Sequence, residues 1–255
     1  IVITSKIDIT ANINLCLNGK KISRGGDTAF TMIAVSDGMI LTLTDCGNEE
    51  RAGYIDPTTL LWTEGVYEGE ETVTVVTING GVITNGAGAG GVAISVSGTL
   101  NTYGINFAGN ANDGKGSAIF ASGSYNDIDS VFVGNTATNQ SGAVEIGGGA
   151  NLKDTQFLYN TSTGNRAGAL LITNNGINAL GVAFKYNVAG GGHGGAVVVT
   201  GSEKASTFES CVFEGNTAAG NRAGAIYAHN NTEPVVTLSC TFTGNTSKYG
   251  GAIYN

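Results

Sequence analysis

Apolar and polar residues alternate in short bursts along most of the chain, and the bursts end in glycine or asparagine instead of running on. "IVITSKIDITANINLCLNGKKIS" at 1–23 and "GMILTLTDC" at 38–46 set Ile, Val and Leu against Thr, Asn and Lys at period two. That is the pattern of strands whose successive side chains point to opposite faces. Further along, a repeat alanine is followed each time by an apolar residue: Ile94, Ile119, Val144, Leu170, Val197, Ile226 and Ile253. These seven are predicted to face inward, and the residue after each to face outward. Helical periodicity is absent, so the predicted elements are strands and turns.

The bursts keep a beat. Phe-x-x-Asn begins at Phe107, Phe132, Phe157, Phe184, Phe213 and Phe242, at spacings of 25, 25, 27, 29 and 29 residues, and Val82 opens a seventh copy with Val for Phe. The repeat alanines Ala93, Ala118, Ala143, Ala169, Ala196, Ala225 and Ala252 march nearly in step. A motif written seven times describes architecture. A Gly-rich, Val/Ile/Thr-rich unit of 25–29 residues fits one coil of a parallel β-helix. Coils stack at about 4.8 Å, so equivalent residues form ladders. The Phe column is expected inside, and Asn85, Asn110, Asn135, Asn160, Asn187, Asn216 and Asn245 at a corner, pairing amides with one another and with turn backbone. "NGKKIS" at 18–23 echoes "NGGVIT" at 79–84, so residues 1–44 read as irregular N-terminal coils of the same solenoid. The chain is one β-helix domain, 1–255: coils at 1–44, an inserted loop at 45–71 and regular repeats at 72–255.

Composition narrows the choice. Forty-one glycines against two prolines, without a Gly-x-y period, exclude collagen and suit many tight turns. Twelve basic against twenty acidic residues give a net charge of −8 with no basic run, so nucleic acid is not an expected partner. No apolar stretch approaches the roughly 20 residues of a membrane span, and no signal peptide is visible. A start at Ile1 without Met and a stop at Asn255 inside a repeat read as a trimmed segment.

Phe-x-x-Asn paired with Gly-Gly-Ala-Ile, intact as "GGAI" at 250–253 and softened to "GSAI", "SGAV", "AGAL" and "AGAI" elsewhere, resembles the repeat of the chlamydial polymorphic outer-membrane proteins. The resemblance spans residues 80–255. It implies a right-handed β-helix, an extracellular, cell-surface location and an adhesive role toward a host or neighbouring-cell surface, glycan or protein. The leading expectation is therefore a non-enzymatic adhesin or surface-binding stalk. One alternative is a structural subunit of a surface fibre or sheath that self-associates through open β-helix ends. A third is a polysaccharide lyase or hydrolase, since right-handed β-helices include both.

Candidate sites fall in four places. The 45–71 stretch holds the only Trp, Trp62, with Tyr54, Tyr67 and eight of the twenty acids. It is either a recognition loop suited to sugar rings or a flap whose Trp packs on the solenoid wall. The outward position two after the repeat alanine carries Phe120, Glu145, Leu171, Val198, Tyr227 and Tyr254, an apolar stripe that is either a partner surface or covered by turns. Asp129 and Asp154 precede repeat Phe residues by three, with Asp127 nearby, and are expected on the outer face as a possible Ca²⁺ site or acid pair; the alternative is a solvated surface pair. No other cofactor is implied. Cys211 and Cys240 precede repeat Phe residues by two and should stack, either as free inward-facing thiols or as a disulfide; Cys16 and Cys46 are a second candidate pair. His193, in "GGGHGG" at 190–195, reads as an extended turn, and His229 has no evident partner.

Overall fold

Strands as short as those in the sequence are stable only when each finds a neighbour in the next coil, and that is how the chain is arranged. The computed structural model describes residues 1–26, 28–85 and 91–255. Three parallel sheets run the length of a solenoid, and a fourth joins them from Ala111 onward. The Phe face has nine strands, from Val2–Ile3 and Lys21–Arg24 through Asn106–Ala108 to Thr241–Thr243. A second nine-stranded face carries the residues after the repeat alanines, from Ile7–Ile9 to Ile253–Tyr254, and a third has eight strands, from Ile13–Cys16 to Val235–Leu238. A narrow six-stranded sheet follows the Asn corner, from Ala111–Asn112 to Thr246–Tyr249. The described residues contain no helix. None is therefore long and apolar enough to cross a membrane.

The interior is made of columns. Ile94, Ile119, Val144, Leu170, Val197 and Ile226 are fully buried, as the alternation predicts; Ile253, on the last strand of its sheet, is 42% exposed. Phe107, Phe132, Phe157, Phe184, Phe213 and Phe242 stack with ring centroids 4.7–5.0 Å apart and planes within 10°. The rung spacing imposes that separation, and it falls in the favourable range for offset-stacked rings.

The Asn corner is fully bonded. Asn160 Nδ2 donates to Asn187 Oδ1 at 2.9 Å and to the Phe132 carbonyl at 3.0 Å, while Asn160 Oδ1 accepts from Asn135 Nδ2 and from the Asn135 backbone N–H. The same three-way pattern recurs at Asn110, Asn135, Asn187 and Asn216. The expected seventh Phe-equivalent is displaced by one residue. Ile83, not Val82, pairs with Phe107, and Val82 pairs with Asn106. In every later coil a left-handed residue precedes the Asn: Gly109, Gly134, Tyr159, Tyr186, Gly215 and Gly244, with φ between 52° and 64°. The Ile83 coil lacks that extra residue, so counting back three from Asn85 overshoots.

The 45–71 insertion is not a loop. Glu50–Ile55, Trp62–Glu64 and Val75–Asn79 form a three-stranded antiparallel sheet that reaches past the expected boundary. It leaves the solenoid at the corner between the third face and the Phe face. Asp45 pins its root by accepting from the Gly19 and Gly81 N–H groups at 2.7 Å each. Arg51 adds bonds to the Gly19 and Gly80 carbonyls and a 2.7 Å ion pair with Glu64.

Candidate functional site

The residues named in the sequence do not converge. Trp62 is 5% exposed and packs with Ile78, Val82, Ala108 and Val133, its Nε1 donating to the Val76 carbonyl at 2.9 Å. It is the flap alternative, not an open sugar platform. The reason lies on the Phe face, whose outward residues are apolar where the flap lies (Val82, Ala108, Val133) and charged further along (Lys185, Glu214). The flap lies so close here that a Cβ on Gly134 would stand 2.4 Å from the Trp62 backbone nitrogen. Tyr54 and Tyr67 meet at 5.1 Å on the flap and stay half-buried.

Asp127 departs most from expectation. It lies on an inward position of Ser124–Ile128 and is 1% exposed, while Asp129 and Asp154 sit outside at left-handed turn positions. The three do not form one set, and the described residues hold no cluster of three potential metal ligands. Asp127 instead accepts from the Thr102 and Thr155 hydroxyls, beside Tyr125. Burial raises its pKa, and hydrogen bonds from Ser130, Thr102 and Thr155 offset this in part.

Cys16 and Cys46, the second candidate pair, form a disulfide at exposed positions, with Cα atoms 6.7 Å apart. Cys211 and Cys240 are free. Burial pushes the Cys211 thiol up to about 12, so it is inert at neutral pH.

The outward stripe is covered at its far end. Leu171, Val198 and Tyr227 are buried with Ala167 and Ala223, and Tyr254 packs beside them. What covers them is chemical. His193 stacks on Tyr227 at 4.4 Å, His229 approaches the same ring at 5.7 Å, and the Arg222 guanidinium lies 4.9 Å over Tyr254. Phe120, four coils away, lies 3.4 Å beneath Lys115 Nζ.

Above this layer opens a groove of about 360 Å³, lined by Asn165, Arg166, His193, Thr200, Tyr227 and His229. Burial holds the His193 pKa below the ordinary imidazole value, reinforced by Arg222, His229 and Arg166. A larger cleft of about 470 Å³ lies under the flap, but Lys21 on its wall is already paired with Glu64 at 3.0 Å. The His193 groove is the candidate site because its cations are not so paired. The sequence carries a signal for it that the Phe and Asn repeats do not include: "GNRAGA" stands at 164–169 and again at 220–225, with "GGHGGA" at 191–196 between.

A parallel β-solenoid with a polar groove on one flank defines a repeat protein whose coils stack one on the next. Residues 210–229 and 239–255 match the Chlamydia polymorphic membrane protein repeat. The chain thus carries repeats of that type within a β-helix. The repeat suggests surface placement associated with an outer membrane. Neither the curated proteins nor the solved structures give a match.

Proposed function

We propose that the chain is a non-enzymatic β-helix of the cell surface, an adhesin or surface-binding stalk whose flank meets a host or neighbouring-cell partner. The observation that carries this reading is the long stack of parallel coils bearing a repeat of polymorphic membrane proteins. Rigid solenoids present long lateral faces, and those faces are what such folds use for binding. Three supports for other contact sites have gone: Trp62 is enclosed, the aromatic stripe is capped, and Asp127 belongs to the core. The last also removes one member of the acid set on which polysaccharide cleavage rested. Immunogold labelling of intact cells, followed by attachment of protein-coated beads to a panel of cell surfaces, tests the proposal. Surface gold with saturable bead attachment is expected; label confined to the cell interior overturns it.

A further inference from the structure

The groove is one stretch of a longer line. Three residues before successive repeat alanines stand Lys115, Gln140, Arg166, His193 and Arg222. Backbone bonds hold their turns in step: Gln140 N–H donates to the Gly114 carbonyl at 3.0 Å, Gly191 N–H to Gly164 at 3.0 Å, and Gly194 N–H to Arg222 at 2.9 Å. Five successive coils therefore place a cationic, amide or imidazole side chain at one place on the flank.

Lys115, Arg166 and Arg222 stand two rungs apart, at about 10 Å, with Gln140 and His193 between them, so the column gathers positive charge along one line. One carboxylate, Glu145, lies among them, acted on by Lys115 and Arg166. No ion pair within 4.0 Å is recorded for Lys115, Arg166, His193 or Arg222 among the described residues. The charged groups acting on His193 are all cations.

A second observation points the same way. Five buried side-chain polar atoms lack a hydrogen-bond partner among the described residues, and three belong to this flank: Gln140 Oε1, Glu145 Oε2 and His193 Nδ1. Buried polar atoms are ordinarily bonded, so this edge holds unmet acceptors beside unmet cations. An anion alone would answer only the cations. Hydroxyl groups interleaved with anionic groups would answer both.

We propose that this flank binds a linear acidic polysaccharide running along the solenoid axis, its carboxylate or sulfate groups meeting Lys115, Arg166 and Arg222 and its hydroxyls donating to Gln140, Glu145 and His193 Nδ1. Single-stranded nucleic acid fits less well. Its binders offer aromatic faces for base stacking, and here Phe120, Tyr227 and Tyr254 are already capped by Lys115, His193 and Arg222. The proposal deepens the surface-binding reading and rests on it for its biological setting.

The test is biolayer interferometry of the full chain against dextran sulfate, polygalacturonate, neutral dextran and an oligothymidine, across a salt series. At least one acidic polymer binds, with affinity falling as salt rises, and neutral dextran does not. The Arg166→Gln/Arg222→Gln variant loses at least tenfold, whereas Lys153→Gln/Lys204→Gln, with the same change in net charge, loses less than twofold. Arg166→Lys/Arg222→Lys keeps the charge and retains binding within about threefold, and thermal unfolding confirms that each variant is folded. Dextran sulfate alone assigns sulfate, polygalacturonate alone assigns carboxylate, and either supports the proposal. Absence of binding to both, equal loss in the control variant, or tighter binding to oligothymidine overturns it. Surface labelling reads placement independently: labelled cells with no polymer binding sink this inference alone, and polymer binding by an internal protein sinks the other.

Discussion

Two columns of asparagine climb this solenoid, and they use the same side chain for different ends. One occupies the corner between the Phe face and the narrow sheet, where Asn110, Asn135, Asn160, Asn187 and Asn216 are buried. The other runs up the outside of the third face as Asn101, Asn126, Asn151 and Asn178, joined amide to amide at 2.9–3.0 Å. The inner amide–amide bonds, 2.8–2.9 Å, are scarcely shorter. What differs is the alternative available to each amide. An outer Asn that loses its neighbour turns to water, whereas an inner one leaves a carbonyl, an N–H and another amide stranded. Hydrogen-bond length therefore says little about what a ladder contributes, and burial says most of it.

The sharpest break of that comparison is to open a place where an outer surface has become an inside. Trp62→Ala removes the side chain that joins the flap to Val82, Ala108 and Val133. It is expected to cost roughly 3–5 kcal/mol in urea unfolding, with the flap exchanging amide hydrogens first. A loss below about 1 kcal/mol would mean the flap is not docked.

Asn160→Ala comes next. It strands the Phe132 carbonyl, the Asn135 backbone N–H and the Asn135 side-chain amide and is expected to lower stability by roughly 3 kcal/mol, at about 1 kcal/mol for each unmet buried group. The interior of the third face gives a smaller, pH-dependent effect through Asp127. Its folded pKa lies above its unfolded value, so the native state holds its proton longer and binds more protons between the two. Stability then falls as pH rises from the ordinary carboxylate range through that raised value, and the penalty is absent below the ordinary range. The stability of wild type minus that of Asp127→Asn, across a pH series of urea midpoints, should fall in that direction; a value that rises with pH contradicts the buried placement. Smallest of all is Asn151→Ala on the outer column, expected within about 0.5 kcal/mol of wild type. An effect as large as that of Asn160→Ala would erase the distinction between the columns.

Most of the architecture is written in period alone. Phe and Asn spacings, the alternation after each repeat alanine and the echo of 18–23 at 79–84 each name a neighbour in the next coil, and the register agrees. What period does not carry is the state of the outer side of a strand. Alternation assigned the position of Tyr227 outward correctly, yet outward there means beneath His193. Asp127 misled for the opposite reason. A carboxylate is assumed to seek water, but position two residues after Tyr125 turns it inward, where hydroxyls of Thr102 and Thr155 receive it. The disposition of the flap was half visible: outward Val82, Ala108 and Val133 form an apolar patch that needs a cover. The basic column was visible in full once residues were compared three before the alanine, because Arg166 and Arg222 sit in identical hexapeptides.

The coil length has a mechanical side. A coil of 25–29 residues advances the rod by a single rung of about 4.8 Å, yet pulled straight at about 3.4 Å per residue it would yield roughly 90 Å of slack. Tension at the ends of such a rod is met by paying out rope one loop at a time, each loop absorbing a sudden jerk while those beyond it stay wound. The Cys16–Cys46 crosslink, spanning a sequence separation of 30, ties a knot in the first loop, so that a steady pull would spend the other coils and leave this one coiled.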